Sequence, residues 1–161
     1  MHIRDCEPFD LPALVDLTIE AFRPLFEEHW PVLMTPTIFA HVHGDWEADY
    51  RHEVPSLHDP AQARFITLAE DEGRVLGYVG WQVTDDGRSA RLAMVAVHPD
   101  VQRRGVGAAL CGAVLARLGE LEVVVVHIGT GGDEFHAPAR ALYESLGFVG
   151  VPGVHYARAL R

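Results

Sequence analysis

The stretch from Leu92 to Ala108 constrains this chain most. Leu92 to Val97 is an apolar run, Pro99 and Asp100 open a turn, and a helix is expected from Arg104 onward, with Gly105 and Gly107 in its first turn. A strand that feeds a helix through so short a turn belongs to an α/β arrangement. Amides at a helix start have no intrahelical acceptor and lie at the positive end of the dipole, so they bind phosphate or diphosphate. Gly105 and Gly107 have no Cβ to hold such a ligand off the backbone.

Residue types narrow the kind of phosphate site. A Walker loop needs Gly-Lys-Ser/Thr, and the chain contains no Lys. A dinucleotide fingerprint needs a third Gly where Leu110 stands. What remains is Gln102-x-x-Gly105-x-Gly107, directly behind Val95 to Pro99. A second pattern, Tyr143-x-x-x-Gly147-Phe148, ends a helix expected over Pro138 to Leu146, with Gly147 at its C-cap. Two such motifs in this order resemble the coenzyme A signature and closing helix of the GNAT superfamily of N-acetyltransferases. The similarity covers residues 64–150; before residue 60 it is topological. A generic strand–helix unit with a Gly-rich turn is the alternative.

The expected fold is α/β (α+β): a mixed, mostly antiparallel sheet of six to seven strands, about four flanking helices, and strands splayed at the acyl-CoA site. One domain is expected over residues 1–161, with residues 1–60 on the acceptor side and 64–150 forming the acetyl-CoA core. His2 to Cys6 reads as an edge strand, and Asp10 to Phe22 as an amphipathic helix capped by Asp10. A helix from about Thr37 to His52 follows. Phe65–Ala69, Val75–Thr84 and Ser89–Val97 form a meander through turns at Asp71-Glu72-Gly73 and Asp85-Asp86-Gly87. Glu122 to Ile128 has the Val run of a central strand buried on both faces. Gly150 to Leu160 is expected to close the sheet.

Composition bounds the rest. A formal charge of −10, with all 13 basic residues Arg, argues against a nucleic-acid partner. An acidic cleft would favour a cationic small molecule, although an acidic surface that merely keeps the chain soluble explains the charge as well. No membrane span and no signal sequence are expected, and two cysteines, Cys6 and Cys111, fit a reduced cytoplasmic setting. His41-x-His43 with Asp45 lacks further ligands, so no metal is expected. A homodimer is compatible with everything above.

The resemblance implies an enzyme that moves acetyl from acetyl-CoA to a primary amine of a small molecule in a ternary complex. A non-catalytic acyl-CoA module and a protein N-terminal or Lys acetyltransferase are alternatives. It further implies that Met94 to Val97 pairs with the pantetheine arm and that the Val95 amide polarises the acetyl carbonyl. The diphosphate would rest on Gln102, Arg104, Gly105, Gly107 and Ala108, around Val106, with charge from Arg103 and Arg104 or with those two merely solvated. Arg140 would join the cofactor site from the Tyr143 helix. Tyr143 would lie near the coenzyme A sulfur, or serve as a packed core Tyr. A phenol near pKa 10 cannot fully protonate a thiolate near 8.5 without about 2 kcal/mol, so a strengthening hydrogen bond is the better role.

The base is open. A primary amine near pKa 10 carries a protonation penalty of about 4 kcal/mol at pH 7. Many members of the family place a Glu where this chain has Arg91. Substitutes are His41, His43, Asp45, Glu47 and Asp49, or Asp133, Glu134 and His136 after the Val run, or a water. Asp133 and His136 are the leading pair, because their Gly-rich loop leaves the C-terminal end of a strand. Trp30, Phe39, Trp46 and Tyr50 either line an acceptor pocket or pack as core.

Overall fold

The computed structural model describes residues 1–84 and 86–161; the Asp85 part of the expected hairpin turn lies outside them. The chain begins with β1 (His2–Asp5), then α1 (Leu11–Pro24), which runs through a π-turn at Leu25–His29 into the single turn α2 (Trp30–Leu33). Next come α3 (Pro36–His43) and α4 (Trp46–Ser56). β2 (Arg64–Asp71), β3 (Arg74–Val83), β4 (Ser89–Val97), α5 (Val106–Glu120), β5 (Val125–Ile128) and α6 (Ala137–Ser145) complete the order. The strands form one sheet in sequence order, antiparallel except for the parallel β4–β5 pair.

Each face of the sheet carries its own core. Leu14, Leu17 and Val15 of α1 and Val54 of α4 pack on Ile66, Leu68, Tyr78 and Ala96. On the other face, Leu110, Val114 and Leu118 of α5, spaced one turn apart, pack on Val79, Trp81, Ala90 and Leu92. α6 joins that second face through Leu142 and Tyr143. Burying each such aliphatic side chain stabilises the fold by about 2 kcal/mol. Tyr78 is wholly buried and meets Thr18 Oγ1 at 2.6 Å, which satisfies its hydroxyl.

Several expectations hold. β1 pairs with β2 alone, as an edge strand should. Glu72 (φ 49°) and Gly73 (φ 80°) make the primed turn between β2 and β3. Cys111 is fully buried.

Others need correction. Five strands form among the described residues, not six to seven. Val149 to Arg161 is exposed and in neither strand nor helix, so Gly150–Leu160 does not close the sheet. Gly150, Pro152 and Gly153 interrupt it, and Pro lacks a ladder donor. The Val run is shorter than expected, Val125–Ile128, and lies at the sheet edge: Val124 is 64% exposed and Val125 45%. His127 interrupts it, and Val123, Val126 and Ile128 are the residues of the run that reach the α5 core. The Thr37–His52 helix is two helices, parted at Gly44, where a Cβ would collide with the Ala40 carbonyl. Asp10 makes no side-chain cap for α1; both its oxygens accept from Arg4, at 2.7 and 2.9 Å.

One irregularity positions everything that follows. Met94 pairs with Gly80 and Leu92 with Trp81, so Ala93 is an extra residue in β4. The bulge changes which face each side chain meets. Ala90 and Leu92 point into the α5 core, whereas Met94 and Ala96 point into the α1–α4 core. Without it, all four would share one face.

Candidate active site

β4 and β5 part company at the bulge. Their pairing runs from Ser89–Val125 to Leu92–Ile128 and ends there, while β4 continues to Val97. The His98 amide donates to Leu76 O at 2.8 Å, and the register runs back from this bonded pair through Tyr78–Ala96 to Gly80–Met94. Alternation of an antiparallel ladder then directs the Val95 and Val97 amides and carbonyls away from β3. Those groups face the space beyond the end of β5. The Val97 carbonyl is taken there by Gln102 Nε2 at 3.1 Å. The rest form an open edge of the kind that an amide-bearing ligand can extend.

The turn behind this edge is built as a cradle. Arg103 (φ 60°) and Gly105 (φ 83°) both adopt left-handed conformations, a nest-like backbone that turns successive amides to one side. Left-handed geometry is uncommon for a side chain such as Arg103 and marks strain. The first intrahelical bond of α5 is Ala109 N to Gly105 O, so the amides of Gly105, Val106, Gly107 and Ala108 have no acceptor in the helix. Nothing would meet a Cβ at Gly105, so the space above it is open. At Gly107 a Cβ would come 3.3 Å from Leu142 of α6. The cradle therefore fits a diphosphate. Gln102 differs from expectation: its amide closes the turn onto Pro99 O at 3.3 Å, so it contributes its carboxamide rather than a free N–H. Arg103 and Arg104 are exposed, and the Val106 side chain is core.

Tyr143 lies in the same apolar cluster as Val95, Val97 and Ile128. It lines a cavity of about 560 Å³ with Ile128, Gly129, Arg140 and Phe148. Burial, helped by the nearby Cys111, raises its phenol well above the usual range. Such a hydroxyl donates a hydrogen bond and keeps its proton.

The loop after β5 brings Asp133 and His136 together. His136 Nδ1 lies 2.8 Å from Asp133 Oδ2, with the rings and carboxylate only 14% and 15% exposed. The His136 amide also donates to Asp133 Oδ1 at 3.2 Å. Burial works to raise the Asp133 pKa, but the hydrogen bond and charge of His136 lower it overall. Gly131 is required here, because a Cβ would strike both His136 Nδ1 and Asp133. Arg140 Nη1 braces the loop through Gly131 O and Asp133 O, 2.7 Å each. It also lines the cavity. Phe135, which sequence reasoning passed over, packs on Phe22 and His29 and ties this loop to the α1 side.

The N-terminal candidates separate by environment. His43 packs against Trp30 at 4.3 Å and against Phe26 and Phe39, and burial lowers its pKa. Trp46 stacks on Phe26 at 4.7 Å and Tyr50 on Phe22 at 5.5 Å, so these aromatics pack on one another. Glu47 is paired with Arg23 and Arg51. Asp49 acts on His43 through its charge, opposing the effect of burial.

The chain is similar to known proteins in sequence and fold. Residues 15–148 match the model of the acetyltransferase (GNAT) family. Two curated relatives are mycothiol acetyltransferases. The one from Salinispora tropica is 31% identical over 153 residues, covering 88% of this chain and 48% of that protein. The one from Mycolicibacterium gilvum is 37% identical over 93 residues, 56% of this chain and 28% of that protein. The chain thus spans about half or less of the length of these relatives. The ribosomal-protein-S18-alanine N-acetyltransferase of Escherichia coli superposes with a TM-score of 0.62 at 26% identity, over 94% of this chain and 79% of that one. With the split β4–β5 pair, the amide cradle and the family match in agreement, the chain belongs to the acetyltransferase (GNAT) family.

Proposed function

We propose that the protein transfers the acetyl group of acetyl-CoA to a primary amine of a small acceptor, by direct attack within a ternary complex. The observation that carries this reading is the edge of β4 beyond Leu92, which offers the Val95 amide next to the 102–108 cradle. The cradle holds the diphosphate, and Met94 to Val97 lines the pantetheine arm. The Val95 N–H hydrogen bonds to the thioester oxygen and stabilises the charge that grows there as the amine attacks. As the C–S bond breaks, the electron pair goes to sulfur, where the Tyr143 hydroxyl donates to the departing thiolate. His136, oriented by Asp133, takes the proton released from the amine nitrogen. Residues 1–60 form the acceptor side. The cysteines take no part: burial raises Cys111 to about 11, so its thiol stays protonated.

Acetyl-CoA binding by calorimetry and CoA release with a panel of amines test this reading. Saturable binding with amine-dependent release supports it. Binding without release on any amine would make the chain an acyl-CoA module instead.

A further inference from the structure

Arg91 stands on β4 of a chain with a formal charge of −10, and the sheet surrounds it with cation and amide. The register places Arg64, Gln82, Arg91 and His127 in one row across β2, β3, β4 and β5. All four lie on the α1–α4 face, since their chain neighbours Phe65, Trp81, Val83, Leu92, Val126 and Ile128 point into the opposite core. Neighbouring strands are about 4.8 Å apart, so Arg64 and Arg91 start about 10 Å from each other with the Gln82 carboxamide between them. A cavity of about 360 Å³ opens on Arg64, Gln82 and Gln62. Arg64 is tied to Asp59 through Nη2 at 3.1 Å, and its Nε is buried with no partner. A buried donor without an acceptor is costly and points to a missing one. Among the described residues Arg91 makes no ion pair.

The facing helix has the opposite sign. Glu53 of α4 lies close enough to Arg91 to feel its charge; burial and Asp49 raise the Glu53 pKa while Arg91 opposes them. α4 reaches the sheet one turn further on, where Leu57 would lie 3.1 Å from a Cβ at Gly80. The acceptor side therefore offers cations and amides on the sheet and carboxylates on the helix.

We propose that the acceptor carries an acid group, a carboxylate or a phosphate, bound by Arg91, Gln82 and Arg64, with its amine several bonds away. Because Ala93 is bulged, Arg91 and Val95 lie opposite Gln82 and Val79, three residues apart on β3, so about 10 Å separates them along the strand, too far for an acid on the carbon next to the amine. A guanidinium pairs with either acid in two-point fashion, and Gln82 adds a neutral donor. This inference rests on the acetyl-transfer reading above.

Three matched acceptors test it by CoA release: pentane-1,5-diamine, 6-aminohexanoate and 6-aminohexyl phosphate. At least one acid-bearing acceptor should exceed the diamine in kcat/KM by about tenfold, chiefly through KM, and its identity tells carboxylate from phosphate. The ratio should fall to about 1 in Arg91→Gln and invert in Arg91→Glu. Gln82→Ala should lower it severalfold. Arg91 is exposed, so these variants should melt with the parent. Equal rates on all three acceptors, or an unchanged ratio in Arg91→Glu, would overturn the acid site and leave acetyl transfer standing. No CoA release from any amine would overturn both.

Discussion

Gln102 Nε2 donates to the Val97 carbonyl oxygen at 3.1 Å, which latches the turn carrying the amide cradle to the strand end that borders the β4–β5 gap. The latch keeps the cradle and the open strand edge in fixed relation, as one bound ligand spanning both requires. Gln102→Ala removes it and leaves the Val97 carbonyl to water. Acetyl-CoA affinity should fall about fivefold, the worth of one neutral hydrogen bond, in a calorimetric titration. Unchanged affinity would mean that the turn keeps its position without the latch.

Gly107 lies in the first turn of α5, where a Cβ would meet Leu142 and Val97. Gly107→Val adds a branched side chain where the backbone must meet phosphate. A loss of more than about tenfold in acetyl-CoA affinity is expected, with a lower thermal midpoint as the methyls press on Leu142 and Val97, and calorimetry beside a melting curve reads both effects.

Tyr143→Phe removes the donor to the departing sulfur and keeps the ring on Phe148. A hydrogen bond that strengthens with developing charge is worth about 2 kcal/mol, so kcat should drop about 30-fold while KM for acetyl-CoA stays put. Steady-state rates measure this directly, and an unaltered kcat makes Tyr143 a packing residue.

The Asp133–His136 pair should respond as a unit. His136→Gln and Asp133→Asn should each lower kcat by about 100-fold, and Gly131→Ala should approach them by forcing the pair apart. The double variant Asp133→Asn/His136→Gln should be no worse than His136→Gln alone, because removing one partner already disables the other. Additive losses in the four rate constants would show two independent roles.

Asp10 is 6% exposed and holds Arg4, which also reaches Glu70 at 2.8 Å. The Arg4 hydrogen bond lowers the Asp10 pKa from 3.8 against the effect of burial. A depressed carboxyl adds stability that is full above its unfolded pKa and is lost as pH falls through the folded value. Stability should therefore decline below about pH 4 by the portion Asp10 supplies. Asp10→Asn should cost about 2 kcal/mol at pH 7 and flatten that acid limb in urea titrations at several pH values.

The left-handed turn and free amides of residues 102–108 were legible in the sequence because they are local. Gln102, Gly105 and Gly107 sit within one turn, and left-handed backbone, free amides and a helix start follow from neighbours in the chain. The meander, α5 and α6 were equally readable from hydrophobic spacing. The Val run was misread for the same reason: apolar periodicity states what a strand prefers to bury, while its neighbours decide whether it lies inside the sheet or at its edge. In Gly150 to Leu160 the local sign against a strand was the run of breakers Gly150, Pro152 and Gly153.

The sequence by itself determined the family pattern, the amide cradle, most elements and the residues of the Asp133–His136 pair. Tertiary structure alone decided the bulge at Ala93, the end of β5 opposite Leu92, and the row from Arg64 to His127. Those depend on strand register, which joins residues far apart in the chain through backbone bonds that any side chain can make. Composition and spacing carry almost no record of register, so the geometry that exposes the Val95 amide becomes visible only once the strands are paired.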